Sequence, residues 1–161
     1  MIPGRRRYAS GTPWEPKVGY SRAVRVGDRV LVSGTTATDE HGQIVGVGDP
    51  YRQAVQALDN IERALAALGS SREEVVRLRA YITDFGDFPE FARAFGERFR
   101  AIRPTNTMVK VAGLVDPTMR IEIEAEAIVA RRRAPPGQVS RTAGTPGRSR
   151  PTSARRPPRR P

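Results

Sequence analysis

In residues 120 to 129, apolar side chains occupy every second position and charged side chains lie between them up to Glu126; this pattern constrains the fold more than any other part of the sequence. The apolar positions are Ile121, Ile123, Ala125, Ala127 and Val129, and the charged positions are Glu122, Glu124 and Glu126. Successive side chains of a β-strand point to opposite faces of the sheet. The segment is therefore predicted to be a strand with one buried face and one polar face.

A hairpin and a helix are predicted nearer the start of the chain. Residues 20–26 and 29–33 are two apolar-rich segments on either side of a Gly27-Asp28 turn, which is typical of a β-hairpin. Asp49 and Pro50 begin a helix as N-cap and first helical residue, and Gly69 ends it. The apolar residues of this helix recur at intervals of three and four and form one face, namely Tyr51, Val55, Leu58, Ile61, Leu65 and Leu68.

A strand follows this helix in the predicted order. The alternating apolar residues predicted to face the core are Val76, Leu78, Ala80 and Ile82. With this assignment, Val75 and Tyr81 are expected to point away from the core. Met108, in a later strand, is expected to point away from the core as well. Because such outward positions are apolar or mixed, we expect the sheet to need a partner and the protein to form oligomers.

A second helix and the order of all elements complete the fold prediction. Asp87 is predicted to cap this helix, and Pro104 to end it and to restrict the residue before it to extended backbone. The predicted buried stripe of the helix consists of Phe88, Phe91, Phe95, Phe99 and Ile102. The order strand, strand, helix, strand, helix, strand, strand predicts an α+β domain, in which two helices cover one face of a mixed sheet in two layers.

The positive charge of the chain is concentrated at its C-terminal end. The formal net charge is +11, and residues 131–161 contain ten arginines and no acidic residue, so the remaining 130 residues carry only +1. Residues 131–161 are also rich in proline and poor in large apolar residues, which predicts a disordered basic tail. Two interpretations stay open. The tail either binds nucleic acid or an anionic membrane weakly and non-specifically, or it is a dispensable extension. Residues 1–16 are interpreted as an N-terminal extension, and residues 17–130 as the folded domain.

The composition also excludes several kinds of site. The chain has no cysteine, which excludes disulfides and thiol nucleophiles. Its single histidine, His41, lies in a predicted polar turn, where it is either a solvated loop residue or a proton shuttle. A Ser-His-Asp triad and a transition-metal site are therefore not expected. No apolar segment reaches membrane-spanning length and the first residues lack the apolar region of a signal peptide, so a cytoplasmic protein without a membrane partner is expected.

The order and spacing of several segments resemble the RidA/YjgF family of small imine and enamine deaminases. The segments that carry the resemblance are residues 19–24, 30–34, 53–65, 75–84, 89–99, 103–114 and 120–129, so that it covers roughly residues 17–130. The resemblance implies the family's chorismate-mutase-like fold and a homotrimer that binds a small molecule in clefts between its subunits. It also implies hydrolysis of C=N compounds without a cofactor or a metal.

Glu122 is the candidate catalytic residue. The residues alone show three glutamates about 7 Å apart on one face of a strand, where a carboxylate could hold a water molecule or simply form a solvated surface. The resemblance separates the three, because Glu122 matches the family glutamate thought to position the attacking water. Glu124 and Glu126 are expected to be structural, paired with Arg77 or Arg79 on a neighbouring strand.

The resemblance also implies a set of substrate-binding residues. Tyr20 matches a tyrosine that lines the cleft, although it could equally be an ordinary core or interface aromatic. Ser33 and Gly34 match a segment that places backbone donors near the ligand, although a strand end followed by a glycine turn would look the same.

Asn106 departs from the family pattern at the point that matters most for substrate recognition. The family carries there an arginine that binds the substrate carboxylate, whereas an asparagine amide has no charge. Either the ligand is neutral at this point or another cation replaces the arginine, and Arg103 is a candidate. Met108 is expected to make the adjacent wall apolar, and Ala92 stands where some members carry an asparagine.

Three functions are compatible with the sequence. The first is a divergent RidA-like deaminase or hydrolase that acts on a small nitrogen-containing metabolite through a water held by Glu122. The second is a non-catalytic trimer that binds a small ligand. The third is RNA binding or cleavage, in which the basic tail would supply non-specific affinity.

Overall fold

The computed structural model describes residues 4–130, and the predicted basic tail lies outside the described residues. These residues form six strands and three α-helices, with short 3₁₀ turns at Arg72–Glu74 and Phe85–Asp87. In chain order the elements are β1 (Arg6–Tyr8), α1 (Trp14–Val18), β2 (Ala23–Val26), β3 (Arg29–Thr35), α2 (Pro50–Ala67), β4 (Val75–Ile82), α3 (Phe88–Phe99), β5 (Thr105–Lys110) and β6 (Ile121–Ile128). None of the helices in residues 4–130 combines the length and the apolar character of a membrane span.

The six strands form one mixed sheet in the order β1-β2-β3-β6-β4-β5. The β4–β5 pair is parallel and the other pairs are antiparallel. The helices α2 and α3 pack against each other, and their buried residues join those of the strands in one core on a single face of the sheet. The predicted α+β fold with two helices on one face is therefore confirmed.

The alternation of β6 produces the burial that the sequence predicts. Ile121 and Ile123 are fully buried in the core, and Ala125 and Ala127 are nearly so. The three glutamates between them are only partly buried and lie on the opposite surface. We call the surface that carries Glu122, Glu124 and Glu126 the open face, and the surface packed against α2 and α3 the helix face.

The prediction for the start of β4 is wrong. Val75 is 3% exposed and Val76 is 40% exposed, the reverse of the predicted orientation. The reason is a shift in the pairing of β4 with β6 between Val75 and Arg77, which adds one residue and changes the face to which the side chains point. Leu78 and the later residues of β4 follow the predicted alternation.

The two helix starts use different partners. The predicted cap of α2 is confirmed, since the backbone N–H of Arg52 donates to the Asp49 carboxylate at 2.9 Å. The side chain of Asp87 does not cap α3. Its carboxylate instead accepts a hydrogen bond from Nε of Arg120 at 2.7 Å, so it links the start of α3 to the residue that precedes β6.

The two ends of α3 also depart from the predicted pattern. Phe91, Phe95 and Phe99 are buried as expected, but Phe88 at the first position is 51% exposed. Arg103 has a φ of 53°, in the left-handed region, and not the extended backbone expected before Pro104. A left-handed residue at this point reverses the chain direction after the helix and leads it into β5.

Residues 6–18 contain two elements that the sequence pattern did not predict. The strand β1 pairs antiparallel with β2, with Arg6 opposite Arg25 and Tyr8 opposite Ala23. The five-residue helix α1 ends at Gly19, whose φ of 86° favours glycine. Glu15 in this helix is only 4% exposed, an unusual environment for a carboxylate.

Candidate active site

The sheet register sorts the predicted site residues onto two opposite surfaces. Directly paired residues of neighbouring strands point to the same face. Glu122 is opposite Tyr81, so both lie on the open face. Asn106 and Met108 of β5 are opposite Leu78 and Ala80, the buried residues of β4, so they lie on the side of the helix face. Within one chain, Glu122 and Asn106 therefore point away from each other.

Glu122 lies directly against Gly34 at the end of β3. A Cβ atom added to Gly34 would overlap Oε1 of Glu122 and would lie 2.9 Å from the carboxyl carbon. Glycine at this position thus allows the carboxylate to rest on the backbone of the neighbouring strand, in the irregular part of the β3–β6 pairing. Glu122 and Gly34 were both expected in the site, and the structure brings them together.

Burial raises the pKa of the Glu122 carboxyl above its ordinary value. The positive charge of Arg22 acts to lower the same pKa, and the negative charge of Glu124 acts to raise it. A carboxyl group whose pKa moves toward neutrality can accept and return a proton more readily than an exposed glutamate. Glu122 is the residue of the open face whose environment suits it for acid–base chemistry.

The polar groups of Tyr20 and Ser33 are already engaged in hydrogen bonds within the chain. The Tyr20 hydroxyl accepts a hydrogen bond from Nη2 of Arg22 at 2.8 Å. The Ser33 hydroxyl donates to the carbonyl oxygen of Ser21 at 2.9 Å, and the Ser33 backbone N–H donates to that of Arg22 at 2.9 Å. Ser33 thus ties β3 to the segment that enters β2.

Arg22 is a central residue that the sequence did not single out. Its Nη1 donates to the carbonyl oxygen of Gly34 and to the Thr35 hydroxyl, the latter at 3.2 Å. Its Nε lies 3.5 Å from the buried Glu15 carboxylate. An arginine two positions after Tyr20 gave no periodic signal, because its role depends on contacts with Gly34 and Glu15 that only the folded chain creates.

The second set of predicted residues lies at the β5 edge of the sheet. Asn106 is exposed, and Met108 packs partly against the core. Arg103 is exposed, and its Nε donates to the carbonyl oxygen of Arg100 at 3.3 Å. Ala92 is an exposed residue of α3. The uncharged amide of Asn106 lies on this edge, at the position where the RidA resemblance implies an arginine.

The expectation that Met108 faces outward with Val75 is wrong, since both residues contact the core.

Glu124 and Glu126 are held in ion pairs across the open face. Arg79 lies 3.0 Å from Glu124, and Arg77 lies 3.1 Å from Glu126, which confirms the predicted partners. Arg29 of β3 also approaches Glu126, at 3.3 Å. Both carboxylates therefore have arginine partners, whereas Glu122 forms no such salt bridge within residues 4–130.

The other candidate groups do not form a site. His41 lies in an exposed turn, and Nε2 of its imidazole lies 3.6 Å from a carboxylate oxygen of the neighbouring Glu40. Among residues 4–130, no group of histidine, cysteine or acidic side chains is arranged to hold a metal ion.

Comparisons with known proteins agree with this geometry. The model of the family described as endoribonuclease L-PSP matches residues 12–129. The chain belongs to the RidA/YjgF family. A crystal structure of a YjgF/YER057c/UK114 family member from Mycobacterium tuberculosis is 40% identical, covers 78% of this chain and 100% of its own, and superposes with a TM-score of 0.72.

Two RidA relatives are named for deaminase activity. The 3-aminoacrylate deaminase RutC of Acinetobacter baylyi is 34% identical over 119 residues, which are 74% of this chain and 93% of that protein. A 2-iminobutanoate/2-iminopropanoate deaminase of Dermatophagoides farinae is 32% identical over 120 residues, which are 73% of this chain and 93% of that protein. The family thus includes proteins named as 3-aminoacrylate and 2-iminobutanoate/2-iminopropanoate deaminases.

Proposed function

We propose that this chain is a RidA-like deaminase that hydrolyses a C=N bond in a small, nitrogen-containing metabolite, with Glu122 holding the attacking water. The observation that carries the proposal is the environment of Glu122. Its carboxylate is partly buried against Gly34, has a raised pKa, and does not share the close arginine pairs of Glu124 and Glu126. The named activities of two relatives support the reaction class.

The proposed reaction needs one group that moves protons. Glu122 takes a proton from water while the water oxygen adds to the imine carbon, and the proton passes to the nitrogen. The resulting carbinolamine loses ammonia, and a carbonyl product remains. A carboxyl whose pKa lies closer to neutrality serves both proton transfers better than an ordinary glutamate does.

We further propose that the site is completed between subunits of a homotrimer. Glu122 and Asn106 lie on opposite faces of the sheet, so one ligand cannot contact both within one chain. A cleft in which Tyr20, Gly34 and Glu122 of one protomer face the β5 edge of the next would unite them. The open face also presents Leu31 and Val109, each 41% exposed, which is consistent with burial against another protomer.

Asn106 would then select the ligand. An amide donates and accepts hydrogen bonds but does not provide the charge that a carboxylate requires. We expect neutral imines to be preferred over imines derived from amino acids with a free carboxylate.

The test is hydrolysis of imines generated in situ by the full chain, with both neutral and carboxylate-bearing substrates. Glu122→Gln should abolish turnover and leave ligand binding largely intact. Asn106→Arg should increase kcat/KM for carboxylate substrates by about 10- to 100-fold, the value of a charged hydrogen bond of about 1.5–3 kcal/mol. Full activity in Glu122→Gln would contradict the proposed mechanism.

A non-catalytic ligand-binding protein is the second candidate, and the uncharged amide of Asn106 favours it. A ligand that raises the melting temperature of the protein and is never consumed would support this function. The RNA-binding hypothesis concerns the tail outside the described residues and stays a prediction. Truncation after Ala130 should remove RNA binding if the tail alone supplies it.

A further inference from the structure

Arg22 connects three parts of the proposed site. Its guanidinium donates to the Tyr20 hydroxyl at 2.8 Å, to the Thr35 hydroxyl at 3.2 Å and to the carbonyl oxygen of Gly34. Gly34 is the residue on which the Glu122 carboxylate rests. The same planar group therefore holds the aromatic side chain expected to line the cleft and the backbone beneath the proposed catalytic carboxylate.

Glu15 keeps this arginine in a buried position. The side chain of Arg22 is 12% exposed and that of Glu15 is 4% exposed, with 3.5 Å between Nε and Oε1. Both Glu15 oxygens accept from the backbone N–H of Ser10 at 3.1 Å, and Oε1 also accepts from the Ser10 hydroxyl at 2.7 Å. A buried ion pair is stable when such hydrogen bonds satisfy its remaining atoms, and the result is a fixed cation.

The groups around Glu122 come from four segments of the chain, and the charges that act on it are those of Arg22 and Glu124. On β6 itself, Glu124 is paired with Arg79 of β4 at 3.0 Å. Also on β4, Tyr81 lies directly opposite Glu122. The adjoining part of β3 contributes the uncharged Ser33 and Gly34, and the segment before β2 contributes Arg22. Arg22 is thus a cation near Glu122 that does not form an ion pair with Glu124 or Glu126 on the open face.

We propose that Arg22, held by Glu15, is a positioning residue that keeps the Glu122 carboxylate charged and the Tyr20 hydroxyl fixed at the deaminase site. The catalytic part of this inference rests on the proposed function, but the effect of the Arg22 charge on the titration of Glu122 can be measured without turnover. The Arg22 charge acts against the effect of burial on the pKa of Glu122, so it preserves the ionised form that accepts a proton from water.

The experiment is a titration of the Glu122 carboxyl carbon by ¹³C NMR in the full chain, with its signal assigned by its loss in Glu122→Gln. Arg22→Gln removes the charge and should move the Glu122 titration midpoint to higher pH. Arg22→Lys retains the charge and should leave the midpoint near that of the parent. Because lysine lacks the planar fork that binds Tyr20 and Gly34, kcat/KM for imine hydrolysis should still fall about tenfold in Arg22→Lys.

Arg25→Gln is the matched control. Arg25 is also partly buried and donates to three backbone carbonyls, those of Gly27, Leu68 and Gly69, at 2.8–3.0 Å. Its loss should leave the Glu122 midpoint unchanged. An unchanged midpoint in Arg22→Gln, or an equal shift in Arg25→Gln, would overturn the inference. If no imine is hydrolysed by the parent, the proposed function fails, while the NMR titration still decides whether Arg22 controls Glu122.

Discussion

Replacement of Gly34 by alanine offers a direct test of the contact between β3 and the Glu122 carboxylate. The new Cβ would lie 2.9 Å from the carboxyl carbon of Glu122 and 3.3 Å from its Cγ, and it would overlap Oε1. Carbon atoms in normal contact are about 3.5–4.0 Å apart. The carboxylate must therefore move by roughly 1 Å.

The expected cost falls on activity and not on folding. A misplacement of about 1 Å in a reacting group can reduce the rate about 100-fold, so kcat for imine hydrolysis should fall by about that factor. The displaced atoms are the end of a flexible side chain, and Gly34 does not have a positive φ. The free energy of unfolding should therefore change by less than about 1 kcal/mol.

The assay compares kcat, the Glu122 NMR titration and urea unfolding in Gly34→Ala and in a matched variant. Gly113→Ala is the control, because no heavy atom lies within 4 Å of its added Cβ and its φ is not positive. It should leave all three measurements unchanged. Normal kcat and an unaltered Glu122 titration in Gly34→Ala would refute the view that this glycine positions the carboxylate.

Two further predictions concern stability. Gln53 is fully buried; its amide donates to the carbonyl oxygens of Gly46 and Thr118 and accepts from the backbone N–H of Arg120, at 2.7–3.2 Å. Gln53→Leu should lower the free energy of unfolding, measured in urea, by about 2–4 kcal/mol, because these three groups lose their hydrogen-bond partner. The same change at the partly exposed Gln56 is the control and should cost less than about 1 kcal/mol. Burial raises the pKa of Glu122, so the folded state binds the proton of this carboxyl more tightly than the unfolded state does. The free energy of unfolding therefore falls as the pH rises above the pKa of Glu122 in the unfolded chain, because the folded state must then bury an ionised carboxylate. Glu122→Gln should therefore be more stable than the parent at neutral pH, and this difference should disappear below about pH 4, the ordinary glutamate range; a difference that does not depend on pH would contradict the raised pKa.

Local patterns in the sequence were sufficient for much of the fold. The alternation in β6, the N-cap at Asp49 and the spacing of the phenylalanines in α3 depend on residues only a few positions apart. The sequence also predicted Glu122 and Gly34 as site residues through the family resemblance; this stays a prediction, and the structure shows that the two residues are in contact.

What only the tertiary structure decided depends on contacts between distant segments. The pairing of β4 with β6 reverses Val75 and Val76. The fold also brings Arg22 into contact with both Glu15 and Gly34. The parallel pairing of β5 with β4 places Asn106 on the opposite side of the sheet from Glu122. Periodicity reports which face of one element is buried, but it does not contain the register between two strands. A shift of one residue in that register changes the face to which every later side chain points, so the composition of the site follows from pairing that no local pattern encodes.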